Sequence, residues 1–162
     1  MIRHAKIEDL QEIVEIYNHA VDAKFQTGYT EPFDATDRKE WLQAHIDTAY
    51  PLIVHTENDV VTGWFGISPY REGRNAFRHT VEISHFIHKD YQRQGIGRQL
   101  TAYGLNVCRE MGYKTAVGII IKNNEISYRL AEKFGFERWG IMPGVGNFDG
   151  VECDHYYYGL KL

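Results

Sequence analysis

The stretch that most constrains this chain is Tyr91-Gln92-Arg93-Gln94-Gly95-Ile96-Gly97-Arg98-Gln99-Leu100, lodged between a strand-like run and an amphipathic helix pattern. The run before it, Thr80 to Ile87, is rich in Thr, Val, Ile and Phe and ends at His88-Lys89-Asp90. The segment after it, Ile96 to Met111, carries Leu100, Tyr103, Leu105 and Val107 in a helical arrangement and stops at Gly112. At a strand-to-helix junction the first helical N–H groups have no internal partner, and the aligned peptide dipoles add partial positive charge, so a phosphate-bearing anion fits there. Gly95 and Gly97 spare the backbone a Cβ where phosphate would approach, and Arg93 and Arg98 can add charge-assisted hydrogen bonds. Taken alone, the window also reads as an ordinary glycine-rich helix cap. A dinucleotide fingerprint needs glycine where Leu100 stands, and a P-loop needs a Gly-Lys-Ser or Gly-Lys-Thr that the stretch lacks.

The rest of the chain reads as mixed α/β in one domain, residues 1–162. A short strand around Ile2 to Ala5 precedes a helix marked by Leu10, Ile13, Val14 and Tyr17. A second helix starts at Thr36-Asp37, places Trp41, Leu42 and His45 on one face, and ends before Pro51. Leu52 to Val54 and Val60 to Ile67, joined by Glu57-Asn58-Asp59, predict a β-hairpin. Ala116 to Ile121 reads as a buried strand and Asn124 to Phe134 as a helix ended by Gly135. Strands near Phe136 to Met142 and Glu152 to Leu160 complete the order.

Composition excludes several classes. The formal net charge of −4 offers no basic field to hold a nucleic acid. No apolar run approaches the roughly 20 residues of a membrane helix, and the start Met1 to Lys6 lacks the apolar core of a signal peptide, so the expectation is a cytoplasmic protein away from membranes. Two cysteines, Cys108 and Cys153, do not make a disulfide framework and are expected as free thiols.

Gln92-x-x-Gly95-x-Gly97 between strand and helix resembles the acyl-CoA motif of the GNAT N-acetyltransferases. Asn124-Glu125-Ile126-Ser127 and Glu132-Lys133-Phe134-Gly135-Phe136 are similar to that family's second helix, beside the pantetheine arm. Ile16-Tyr17-Asn18-His19-Ala20-Val21, Arg38-x-x-Trp41, Thr80-Val81-Glu82 and the segment Trp139 to Gly150 resemble its phosphinothricin and methionine sulfone acetyltransferase branch, so the resemblance spans nearly the whole chain. It implies a GNAT fold: a twisted, mixed but mostly antiparallel sheet of about seven strands, about four flanking helices, and strands splayed apart where acetyl-CoA binds. It further implies that Gln92, Arg93, Gln94, Gly95, Ile96, Gly97 and Arg98 hold the pyrophosphate, that Asn124 and Ser127 lie beside the pantetheine, and that the backbone of His85, Phe86 and Ile87 polarises the thioester.

Acetyl transfer to an amine needs a base, an oxyanion donor and a proton for the departing thiolate. Glu82, in an otherwise apolar strand where burial would raise its pKa, is the expected base, directly or through water; the competing reading is a solvent-facing residue of an alternating strand. Arg78 either receives a substrate carboxylate or is a solvated surface residue. The branch usually carries His or Tyr where this chain has Ala131, so Tyr128, one turn earlier, or solvent is left to protonate the thiolate. Phe33, Tyr29 and Trp64 suit either an acceptor wall or the core. His85-x-x-His88 is the closest histidine pair, but strand alternation sends the two to opposite faces, and no metal is expected.

The expected partner is a small amino-acid-like amine such as phosphinothricin, methionine sulfone or methionine sulfoximine. A protein N-terminal or lysine acetyltransferase and a non-catalytic acyl-CoA sensor are the alternatives. Many members of the branch are dimers, and the run His155-Tyr156-Tyr157-Tyr158 suits a homodimer interface or a core strand.

Overall fold

Alternation along the hairpin strands decides the layering. In β2 (Leu52–Glu57) and β3 (Val60–Pro69), successive side chains leave opposite faces, and both faces are apolar. Leu52, Val54, Val61 and Trp64 pack with Ile13 and Ile16 of α1 (Leu10–Asp22) and Leu42 of α2 (Lys39–Gln43). Ile53, Phe65 and Ile67 pack on the other face, with Leu100, Leu105 and Val107 of α3 (Ile96–Glu110). A strand buried on both faces cannot alternate apolar with polar, which is why these strands read as continuous apolar runs. The two-residue turn between β2 and β3 places Asn58 (φ 49°) and Asp59 (φ 65°) in the left-handed region, the twist a tight hairpin requires.

The computed structural model describes residues 1–162. With β1 (Ile2–His4), β4 (Thr80–Ile87), β5 (Thr115–Ile121), β6 (Glu137–Phe148) and β7 (Val151–Lys161) the sheet has seven strands in the order β1-β2-β3-β4-β5-β7-β6. Only β4 and β5 pair in parallel, and α3 makes the crossover between them. The fourth helix, α4 (Glu125–Lys133), connects β5 to β6 on the α3 face. This is the expected mixed, mostly antiparallel sheet with four helices.

Two boundaries differ from the sequence reading. Thr36–Arg38 form a single 3-10 turn before a five-residue α2, shorter than the apolar pattern suggested. β6 runs on past Met142 to Phe148 through Pro143, Gly144 and Gly146, because it is the edge strand and its register with β7 shifts between Met142 and Gly146. An edge strand tolerates a missing N–H, and a shifted register absorbs the glycines. Cys108 and Cys153 are both buried free thiols, and no helix is long and apolar enough to cross a membrane.

Candidate active site

The site originates in an interrupted ladder. β4 and β5 pair at Thr80↔Thr115, Val81↔Ala116 and Glu82↔Val117, and there the pairing stops. β4 stays paired to β3 as far as Ile87↔Gly63, and β5 stays paired to β7 as far as Ile121↔His155. The two central strands therefore splay apart after Glu82, and β4 turns unpaired N–H and C=O groups toward the gap. Ile83, Ser84, His85 and Phe86 line one side of the gap and Gly118 to Ile121 the other, with Ser127, Leu130 and Ala131 of α4 along it. The cavity there measures about 110 Å³.

A second cavity continues from the first, sharing His85, Phe86, Asn124, Ser127 and Leu130 and ending at Gln92, Arg93, Gly95, Ile96, Gly97 and Arg98. Gln99 N–H donates to the Gly95 carbonyl as the first turn of α3 closes, so the N–H groups of Ile96 to Arg98 precede any helical acceptor and remain for a ligand. Gly95 caps α3 with φ 85°, a left-handed backbone that only glycine adopts freely. At Gly97 a Cβ would meet Leu130 at 3.5 Å and Ile87 at 3.8 Å, ordinary contacts, so the protein's own packing does not demand glycine there. The result is a continuous groove with backbone donors at one end and an open strand edge at the other.

Such a groove accommodates an elongated phosphorylated thioester, and the comparison with known families agrees with it. The profile of the acetyltransferase (GNAT) family matches residues 13–136. The chain belongs to the GNAT acetyltransferase family. It is 36% identical over 99% of its length to the L-amino acid N-acyltransferase MnaT of Escherichia coli, covering 93% of that protein. It is also 36% identical, over 99% of its length and 94% of the relative, to an L-methionine sulfoximine/L-methionine sulfone acetyltransferase of Salmonella typhimurium. Among solved structures, the GNAT phosphinothricin acetyltransferase of Sinorhizobium meliloti in complex with acetyl-CoA superposes with a TM-score of 0.94 at 26% identity, over 100% of this chain and 88% of that one.

This GNAT chain is thus an acetyl-CoA-dependent N-acetyltransferase, and of the expected coenzyme residues all but Gln94 line the groove. Gln94 is the exception because its side-chain amide turns back to donate to the Asp90 carbonyl at 3.3 Å. Asn124 has a second duty: its side-chain oxygen accepts from Ser127 N–H at 3.3 Å and caps α4. Tyr128 does not reach the groove. It lies about 100° around α4 from Ser127, and its ring packs on Tyr156 and Tyr158 in the core. The residues that sequence reasoning missed are those of β5, Gly118 to Ile121, together with Ile83, Leu130 and the loop residues Gln26 to Gly28. Ile83, Leu130 and the β5 residues carry no polar signature and only the splay singles them out, while Gln26 and Thr27 reach the gap from a distant loop.

The electrostatics differ on the two faces of β4. His85 faces the groove, where burial pushes its imidazole down to about 4 and keeps it neutral. Glu82 and Phe86 share the other face of the strand by alternation, and of the two only Phe86 also borders the groove. Burial raises the Glu82 carboxyl above the ordinary value, and the Arg71 charge offsets part of that rise. Phe86 meets Tyr17 and Trp64, and Tyr17 in turn stacks on Phe33 and meets Tyr29, so the aromatics noted in the sequence form one wall on this face. Arg78 lines a further cavity with Arg71 and Arg74, next to Ser68, which pairs with Glu82 across the sheet.

Proposed function

We propose that this chain acetylates the primary amine of a small amino-acid-like molecule of the phosphinothricin, methionine sulfone or methionine sulfoximine type. The observation that carries the reading is the position of Glu82: the last residue of β4 paired to β5, at the mouth of the splay, with a raised pKa and a cavity holding Arg71, Arg74 and Arg78 beside it. A carboxylate next to a guanidinium cluster suits a zwitterion: the cations receive its acidic end and the base faces its ammonium. The names of the relatives in Escherichia coli and Salmonella typhimurium support the same substrate class.

In this reading Glu82 takes the ammonium proton, through a water molecule, and frees the nitrogen lone pair. Backbone N–H groups on the unpaired edge of β4, from His85 to Ile87, polarise the thioester carbonyl. The carbon–nitrogen bond forms, the carbon–sulfur bond breaks, and the thiolate takes its proton from water, since Ala131 offers none and Tyr128 is turned away. Arg78 binds the substrate carboxylate together with Arg71 and Arg74. The reading keeps the chain in the cytoplasm and as a homodimer; the exposed apolar side chains of the edge strand β6, Trp139, Ile141, Met142 and Val145, support a second copy there.

The test is thiol release from acetyl-CoA with a panel of amines: phosphinothricin, methionine sulfone, methionine sulfoximine, ordinary amino acids, polyamines and short peptides. Saturable release with the amino-acid analogues supports the proposal. Release only with peptides, or coenzyme binding without turnover, refutes it.

A further inference from the structure

Away from the groove, on the outer side of α1, three potential ligands converge that the sequence keeps far apart. Glu15 and His19 lie one turn apart on α1, and His88 is the residue at which the chain leaves β4. The Glu15 Oε1 atom sits 3.9 Å from His19 Nε2 and 3.7 Å from His88 Nε2, and the three ligand atoms all lie within 4.8 Å of one another. The imidazoles are set edge to face, centroids 4.6 Å apart and planes at 80°.

These distances are too long for hydrogen bonds and too short for indifference. Around a tetrahedral ion with ligand bonds of about 2.1 Å, ligand atoms stand roughly 3.4 Å apart, so Glu15 would approach each imidazole by a few tenths of an ångström, and the two imidazole nitrogens, within 4.8 Å of each other, would close by up to about 1.4 Å. Glu15 has the freedom to make its approach, with 54% of its side chain exposed, whereas the two rings, 14% and 16% exposed, are held more closely by their surroundings. His19 Nδ1, the nitrogen other than the one nearest Glu15, is buried without any hydrogen-bond partner, so no hydrogen bond fixes the tautomer of this ring. His88 Nδ1 accepts from the Asp90 N–H at 3.3 Å; ligation through Nε2 would put a proton on Nδ1 instead, and the Asp90 carboxylate, 3.9 Å away, is the acceptor that proton would turn to.

We propose that Glu15, His19 and His88 form a binding site for a divalent transition-metal ion of the zinc type. Two imidazoles and one carboxylate with no thiolate suit Zn²⁺, Ni²⁺ or Co²⁺ rather than the all-oxygen preference of Ca²⁺ or Mg²⁺. The exposed flank at Glu15 leaves the fourth position to water. The ion would tie α1 to the end of β4, directly before the Tyr91 to Gly97 loop; Tyr91 N–H already donates to the His88 carbonyl at 2.9 Å. Its role is a brace on the coenzyme loop, separate from the acetyl-transfer chemistry. The His85 and His88 pair still does not share an ion; the partner of His88 comes from α1.

The experiment titrates untagged, chelator-stripped protein with ZnCl₂ by calorimetry, with MgCl₂ as control, and follows Co²⁺ loading by its visible spectrum. One zinc per chain with a Kd below about 0.1 mM, a four-coordinate Co²⁺ spectrum, no response to Mg²⁺, and at least about a tenfold loss of affinity in H19Q, H88Q and E15Q are expected. Zinc binding that is absent, weaker than that limit, or undiminished in all three variants overturns the site. If a variant fails to fold, histidine resonances of the wild-type protein decide: zinc must perturb His19 and His88 first, and perturbation confined to other histidines refutes the proposal.

Discussion

Asn18 and Phe33 exchange two hydrogen bonds of 2.9 Å, the Asn18 amide donating to the Phe33 carbonyl and its oxygen accepting from the Phe33 N–H. A helix side chain thereby holds the loop around Phe33 as a neighbouring strand would. The loop presents Phe33 to the Arg38 guanidinium, 3.5 Å from the ring centroid, and to Tyr17. N18A should release it at a cost of about 1–3 kcal/mol for two such bonds. The expected kinetic signature is a rise in KM for the amine of roughly tenfold with KM for acetyl-CoA unchanged, measured by steady-state thiol release.

Arg71 moderates the rise that burial gives the Glu82 pKa. Burial raises the Glu82 pKa and the Arg71 charge pulls it partly back, so removing that charge lets the pKa climb further. A base works when deprotonated, hence the acidic limb of kcat/KM should lie above the ordinary glutamate value of 4.5 in the wild type and move to higher pH in R71Q. A limb that stays in place or moves down in R71Q contradicts the coupling.

Gly104 of α3 lies so close to Phe65 that a Cβ on it would stand 2.4 Å from the ring, and Phe65 is fully buried. G104A gains about 1 kcal/mol of helix propensity, yet overpacking of this kind costs about 1–3 kcal/mol, and a contact this short against a ring with no free space puts the balance on the unfavourable side. Urea unfolding should show a lower midpoint with an unchanged slope.

Arg3 grips Asp9 through two hydrogen bonds of 2.7 and 2.8 Å, while Lys6 N–H donates to the same carboxylate at 2.8 Å. Burial alone would raise the Asp9 pKa, but the Arg3 and Lys6 contacts outweigh it and hold the carboxyl below its ordinary 3.8. A folded-state pKa below the unfolded value gives stability that is present above pH 3.8 and disappears as the pH falls through the folded value. D9N should therefore cost about 1–3 kcal/mol near neutral pH, and the gap to wild type, from denaturant unfolding, should narrow below pH 3.8.

Much of this architecture is written locally. Thr80 to Ile87, Ile96 to Met111 and the Asn58-Asp59 turn each carry their structure in propensity and period, and the elements stand where those patterns put them. What the pattern hid depends on distance along the chain. The splay exists because β5 stops pairing with β4 after Val117, and nothing in the apolar run Ala116 to Ile121 marks the place. Tyr128 is one turn from Ala131 in sequence, but rotation around α4 carries it to Tyr158. Gln94 lies at an open position inside the Gln92-x-x-Gly95-x-Gly97 motif and turns back to Asp90, because a motif fixes backbone path more firmly than side-chain direction. His19 and His88 meet only through the packing of α1 on the sheet.

The most direct measurement is thiol release by E82Q with methionine sulfone at a pH well above the wild-type acidic limb, alongside calorimetric binding of acetyl-CoA. The account predicts a fall in kcat/KM of roughly 10²–10⁴-fold, loss of the acidic limb, and coenzyme affinity equal to wild type, because Glu82 is not among the residues that line the groove. Wild-type turnover in E82Q with the limb intact would contradict it.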